Sequence, residues 1–451
     1  MVQITPFVDE GLGNSSYLVD LGDGRALVVD PVRDVEPYVR FANQQRLKVE
    51  YSLETHLHAD FVSGSLELAR LGATILAPRG AHAEFPHRPL DDADEYDLGG
   101  LVVRGIGTPG HTPEHLSYLI LDGRHPAALF SGGALIVGSV ARTDLISPAQ
   151  TEPLARALFR ALRERILPLP DELPVYPTHG AGSFCSAPGI GERTTTIGRE
   201  RASNPLLSAP DEDAFLHRLT AGLGSYPEYF LHLREVNRRG PAVYGSNLPR
   251  LTQLAPADLQ AATDAGAELI DVRPITHFAG GHIPGALSIA LRPAFAPWLG
   301  WLVEAGRALV FVADTDQDRA DLVRQCLKIG YEHLAGELAD GMEKWRAAGL
   351  PEQRTELSAN APARQTPILD VRQSNEYLTG HVPAAIHLEL GSVAGQVAGL
   401  RSANPLVMCG HGERAMTGAS LLERDGSRPS VFLGGPNELV QQRGERLASS
   451  G

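Results

Sequence analysis

The sequence predicts an α/β chain throughout, and two observations predict it. Short apolar strands such as Leu269-Ile270 and Ile368-Leu369 alternate with helical patterns, which implies parallel sheets covered by helices on both faces. Asp271-Val272-Arg273 and Gly281-His282-Ile283-Pro284-Gly285-Ala286 also recur 99 residues later. There they read Asp370-Val371-Arg372 and Gly380-His381-Val382-Pro383-Ala384-Ala385, an internal repeat. A chain of 451 residues has room for about three separate cores. The first domain is expected over 1–245, where Asn237-Arg238-Arg239-Gly240-Pro241 breaks a helical pattern. The repeats are expected over 250–352 and 366–451, with the polar stretch from Glu352 to Thr366 as their linker.

Composition narrows the setting. No apolar stretch approaches the ~20 residues of a membrane span, and Met1-Val2-Gln3-Ile4-Thr5 opens directly into a strand-like pattern. Three cysteines cannot make a disulfide framework, so a reducing, cytoplasmic setting is expected. A net charge of −14 disfavours nucleic acid and anionic membrane as partners.

Val407-Met408-Cys409-Gly410-His411-Gly412-Glu413-Arg414-Ala415 is an apolar run that ends in a cysteine loop and leads into a helix expected near Ala415. Gly410, His411, Gly412 and Glu413 give enough chain to curl backbone N–H groups around the sulfur and any attached anion. The helix dipole and the Arg414 charge favour thiolate, the nucleophilic form. A buried structural cysteine is the competing reading. Glycine at both 410 and 412 weighs against it, because a packed strand end needs neither.

With Glu376-Tyr377 and Gly380 to Ala385 upstream, the C-x-x-G-x-R loop at 409–414 resembles the rhodanese domain, a module that carries sulfane sulfur as a cysteine persulfide. That resemblance implies catalytic roles for Cys409 and Arg414 and a substrate-binding role for residues 410–413. A tryptophan usual after Gly434-Gly435 is missing, and Leu439 stands near its place, which should affect packing more than chemistry. In the first repeat the corresponding loop begins Ala313-Asp314-Thr315-Asp316-Gln317-Asp318-Arg319. Alanine replaces the nucleophile and three aspartates would repel an anion, so this copy is expected to be inactive.

The first half carries His56-Leu57-His58-Ala59-Asp60-Phe61, then Gly110-His111, then Thr178-His179-Gly180. This pattern resembles the metallo-β-lactamase superfamily, and within it the persulfide dioxygenases, some of which are fused to rhodanese domains. The resemblance implies an αββα sandwich with a metal site on loops at strand ends. Two departures follow. Phe61 stands where the family has a sixth-position histidine, and Gly133 stands where it has a carboxylate ligand. Dioxygenase iron would keep His56 and His111 but lose its one anionic ligand. Ser131, Ala134, Ser139 and Ala141 replace residues the family favours nearby (Thr, Thr, Asp and Gly).

What remains is an open set of His56, His58 and His111, implying at most one weakly held Fe(II) or Zn(II), with no metal required for the Cys409 chemistry. His179 and Asp60 read as leftovers of the old pocket, and His115 as a residue without a matching partner. The expected function is sulfur transfer from a low-molecular-weight thiol persulfide or thiosulfate to a thiol acceptor, with a homo-oligomer allowed. The alternatives are a zinc-dependent thioester hydrolase resembling glyoxalase II and a non-catalytic binding or regulatory protein.

Overall fold

The computed structural model describes residues 2–186, 191–245, 247–396 and 404–449. The chain forms two compact units, one of Met1–Leu248 with Cys326–Gly330, the other of Pro249–Gln325 with Tyr331–Gly451.

The first unit holds two six-stranded sheets. One runs in the order Gln3–Asp9, Asn14–Asp20, Arg25–Val29, Lys48–Leu53, Thr74–Pro78, Arg88–Leu90. The other runs Thr195–Thr196, Pro174–Pro177, His125–Gly132, Leu116–Asp122, Leu101–Gly107, Glu95–Asp97. Strand alternation explains the layering. Tyr17, Val19, Leu27 and Val29 pack with Tyr118, Ile120 and Phe130 in one core. Their neighbours Leu18, Ala26 and Val28 pack with Tyr38 and Ala42 of the helix Glu36–Gln44 and Leu68 of the helix Ser65–Arg70. On the other side Leu119, Leu121 and Leu129 pack with Leu158 and Phe215, on the helices Pro148–Ala161 and Glu212–Ala221. The result is the expected αββα sandwich.

In the second unit each repeat builds its own five-stranded parallel sheet. The first runs Gln253–Leu254, Leu334–Leu338, Leu309–Val312, Glu268–Asp271, Leu287–Ser288. The second runs Glu356–Ser358, Ser430–Phe432, Leu406–Met408, Ile368–Asp370, Ile386–His387, the same order. Buried ion pairs repeat as well: Arg273 is held by Asp271 and donates to the Gly281 carbonyl (2.9 Å), and Arg372 is held by Asp370 and donates to the Gly380 carbonyl (2.9 Å). The stretch 352–366, read from sequence as a linker, contains the edge strand Glu356–Ser358. Its polar composition suits a sheet edge as well as a connector. Leu439, near the position where the resemblance led us to expect a tryptophan, is fully buried with Met408 and Phe432.

Candidate functional site

Cys409 follows the strand Leu406–Met408 directly, and the helix Glu413–Arg424 starts two residues earlier than the sequence suggests. Gly412 makes that early start possible, since its φ of 99° turns the chain into the helix. The Gly412 N–H donates to Cys409 Sγ at 3.2 Å. The thiol is 2% exposed, whereas His411 is exposed on the rim of the loop. Arg414 is turned toward Glu376, to which it donates from both terminal nitrogens. Its charge is therefore shared with a carboxylate and does not act on the sulfur alone.

The first repeat contributes to the surroundings of this loop. Ile275 Cδ1 lies 3.2 Å from where a Cβ on Gly412 would be, and the Arg414 guanidinium sits 5.9 Å from the Trp298 ring centre. Thr417 Oγ1 donates to the Ser288 carbonyl (2.6 Å), and Ser420 Oγ accepts from the Ser288 N–H (3.1 Å). The Trp301 ring occupies the space that a Cβ on Gly391 would need, so only glycine fits there. The corresponding loop of the first repeat is tied up internally. Ala313 is buried, Asp314 pairs with His277 (2.7 Å) and Arg319 pairs with Glu337 (2.7 Å).

In the first unit, side-by-side parallel strands bring their C-terminal ends together. Arg25–Val29 delivers Asp30, and Lys48–Leu53 delivers Glu54 to His58. The opposite sheet delivers His111 between two of its strands and His179 just after Pro174–Pro177. Asp30 anchors this end: it accepts from the Thr55 N–H and Oγ1 (2.7 Å each) and from Thr178 Oγ1.

The structure brings His56 and His111 together with His179, one ring nitrogen of each lying within 4.8 Å of the others. His58, expected as the third ligand, is placed differently. Its Nε2 sits 3.2 Å from both Asp30 Oδ1 and Glu54 Oε2, aligned with neither as a hydrogen bond, so the attraction is ionic and not directional. Burial works against its charge, but the two carboxylates prevail and push His58 up to about 10. Those pairings, with Phe61 stacked on its ring at 4.2 Å, hold the His58 ring in place. His58 lies with Asp60 and His179, and with Asp30 and Glu54, in two further groups whose ligand atoms are close enough to hold an ion.

Burial and the neighbouring imidazoles pull His56 well below the ordinary value, and burial does the same to His111. His115, which had no assigned partner, accepts the Gly133 N–H on Nε2 (2.9 Å) and lies stacked 4.9 Å from His56, with burial holding it down at about 3. Asp30, Glu54 and Asn14 carry no signal in the sequence, because their roles depend on contacts between separate strand ends. Cys185 is fully buried, and burial followed by the Asp60 charge pushes its thiol well above the ordinary value.

Known proteins agree with this architecture. Residues 9–179 match the metallo-beta-lactamase superfamily, and residues 255–348 and 353–442 each match the rhodanese-like domain. The chain is 29% identical over 204 residues to the mitochondrial persulfide dioxygenase ETHE1 of Homo sapiens, covering 44% of this chain and 73% of that one. It is 30% identical over 211 residues to a probable metallo-hydrolase of Burkholderia pseudomallei (strain 1710b), covering 38% of this chain and 70% of that one. A solved metallo-beta-lactamase from Staphylococcus aureus subsp. aureus COL superposes with a TM-score of 0.66 at 28% identity, covering 75% of this chain and 98% of that one.

Proposed function

Because the chain belongs to the metallo-beta-lactamase superfamily and carries two rhodanese-like domains behind that region, we propose that it handles sulfane sulfur through a persulfide on Cys409. The observation that carries this reading is the Gly412 amide on Cys409 Sγ, at a strand-to-helix loop in the repeat that keeps a cysteine. That N–H, at the start of a twelve-residue helix, gives a sulfur anchored on Cys409 a backbone hydrogen-bond donor.

The Cys409 thiolate attacks the outer sulfur of a low-molecular-weight thiol persulfide. The donor's S–S bond breaks, its thiolate leaves with the electron pair, and a new S–S bond forms on Cys409. An acceptor thiolate then attacks that outer sulfur and Cys409 leaves as thiolate. With thiosulfate as donor the leaving group is sulfite. In this reading residues 366–451 carry the sulfur. Residues 250–352 brace the carrier through Ile275 and Trp298, and residues 1–245 hold the histidine cluster.

The test is transfer from thiosulfate to cyanide, with native protein against Cys409→Ser, and mass spectrometry of the peptides. One sulfur on Cys409 and loss of transfer in the variant are expected. Sulfur found chiefly on Cys185, or no modified thiol in folded protein, overturns the reading.

A further inference from the structure

The two repeats share one strand register, which makes their outer sheet edges directly comparable. Strand Leu287–Ser288 pairs Leu287 with Ile270 and Ser288 with Asp271, and strand Ile386–His387 pairs Ile386 with Leu369 and His387 with Asp370. The bend before each strand repeats too, with a φ of 83° at Gly285 and 60° at Ala384. After each strand an N–H returns to the neighbouring strand, from Ile289 to the Asp271 carbonyl (3.0 Å) and from Leu388 to the Asp370 carbonyl (3.1 Å). Alternation along the strand then turns the N–H and C=O of Ser288, and equally those of His387, toward the outer edge.

In the first repeat that edge is covered. The helix Glu413–Arg424 lies along it: Thr417 Oγ1 donates to the Ser288 carbonyl (2.6 Å), Ser420 Oγ accepts the Ser288 N–H (3.1 Å), and Arg424 Nε donates to the Gly285 carbonyl (2.9 Å). Ala279 and Leu287 of this face are 7% and 0% exposed. In the second repeat the matching edge is bare. Leu378 and Ile386, the counterparts of Ala279 and Leu287, are 52% and 41% exposed. Among the described residues none hydrogen-bonds the N–H or C=O of His387. The His387 ring is folded inward, stacked 4.1 Å from Tyr377 with its Nε2 donating to the Arg372 carbonyl (2.9 Å). Stacked repeats bury such faces against a neighbour, and a terminal copy keeps one face without one.

We infer that the face of Leu378, Ile386 and His387 is a docking surface for a helix of a partner protein, seated as Glu413–Arg424 is seated on the first repeat. The covered edge states what that helix must offer. Two hydroxyl side chains three residues apart meet the His387 N–H and C=O, a cationic side chain four residues further on meets the carbonyl of the exposed Ala384, and an apolar flank covers Leu378 and Ile386. A second copy of this chain does not supply it. Of the two helices in that position, Glu413–Arg424 is already spent on the first repeat, and Arg319–Lys328 contains no serine or threonine. From Tyr377 to Leu388 the sequence holds no Asp, Glu, Lys or Arg, so apolar contact and the strand edge carry the recognition, not charge steering. The surface includes the helix Ser374–Thr379, whose Glu376 holds Arg414, so a seated helix adjoins the Cys409 loop. The inference rests on the two edges and not on the chemistry of Cys409.

The test uses the full chain with methyl-labelled leucine and isoleucine, and as probe a stapled helical peptide with the sequence of residues 413–424. Saturable binding is expected, with the methyl signals of Leu378 and Ile386 moving and that of Leu287 staying in place. Leu378→Asp and Ile386→Asp should each weaken binding by at least about 10-fold, because a charge would be buried under the helix. Val8→Asp, at an exposed apolar position of the first unit, should leave binding unchanged. Thr417→Ala with Ser420→Ala in the peptide should also cost about 10-fold, the worth of two hydrogen bonds. No saturable binding overturns the inference, as does native affinity in folded Leu378→Asp. Movement of Leu287 in place of Ile386 overturns it too, since the probe would then only compete with the chain's own helix. Self-association of the native chain that Leu378→Asp abolishes would make the occupant a second copy and equally overturns it. Native-protein methyl signals and Leu378→Asp decide the matter if Ile386→Asp does not fold.

Discussion

The Arg414 guanidinium grips the Glu376 carboxylate at 2.5 and 2.7 Å, joining the Cys409 loop to the helix Ser374–Thr379. Burial alone would raise Glu376, but the Arg414 hydrogen bonds and charge hold it below the ordinary glutamate range. A carboxyl depressed in the folded state contributes stability above its unfolded pKa and loses it as pH falls through the folded one. Glu376→Gln should therefore lower the melting temperature at neutral pH, with the gap to native protein closing as the pH drops below the ordinary glutamate range. With the Glu376 side chain 38% exposed, the neutral-pH loss should stay under about 1 kcal/mol. A gap independent of pH would show that the pair does not depend on the Glu376 charge.

Restoring a thiol to the first repeat should not restore chemistry. Ala313→Cys would place the sulfur in a loop where Asp314 is committed to His277 and Arg319 to Glu337, with Asp316 and Asp318 adding negative charge. Peptide mass spectrometry of this variant after exposure to thiosulfate should find sulfur on Cys409. The peptide carrying the introduced thiol should show none beyond background. Equal labelling of the two would mean that the acidic loop is no barrier.

The repeat was legible in the sequence because its local signatures, Asp-Val-Arg and Gly-His-x-Pro, each mark one turn of the fold and lie within one segment. The histidine cluster was only partly legible. Spacing identified His56 and His111, but His58 looked equivalent to them. Its pairing with Asp30, 28 residues upstream at the end of a neighbouring strand, sets it apart, and a motif does not report charges delivered by another strand. His179 looked surplus for the opposite reason. Its partner is Asn14, at the far end of the domain's sequence, and its place beside His56 and His111 emerges only once the two sheets face each other. The edge strand Glu356–Ser358 was missed because three residues of mixed polarity give no periodic signal.

His58 is a stronger stability element than its neighbours. It is fully buried between Asp30 and Glu54, so His58→Ala would leave two buried carboxylates facing each other without a cation. Removing one partner of such a buried set typically costs about 3–5 kcal/mol. Urea unfolding of the metal-free chain should show a loss of that order in the transition belonging to the first unit. A loss below about 1 kcal/mol would mean that water replaces the imidazolium at no great cost.

Gly133 and Ala141 should behave as a coupled pair. A Cβ at 133 meets the Ala141 methyl and the His111 ring at distances that side chains do not tolerate, so Gly133→Asp alone should overpack the pocket by about 1–3 kcal/mol. Removing the methyl with Ala141→Gly relieves one of those two collisions and leaves the one with His111. The double variant should thus recover part of the loss but not all of it, apart from the small intrinsic cost of a second glycine. A double-mutant cycle on unfolding free energy measures this directly, since residues in contact show coupling of about 0.5–3 kcal/mol. Additive effects would show that Ala141 does not close the carboxylate position and that His111 alone does.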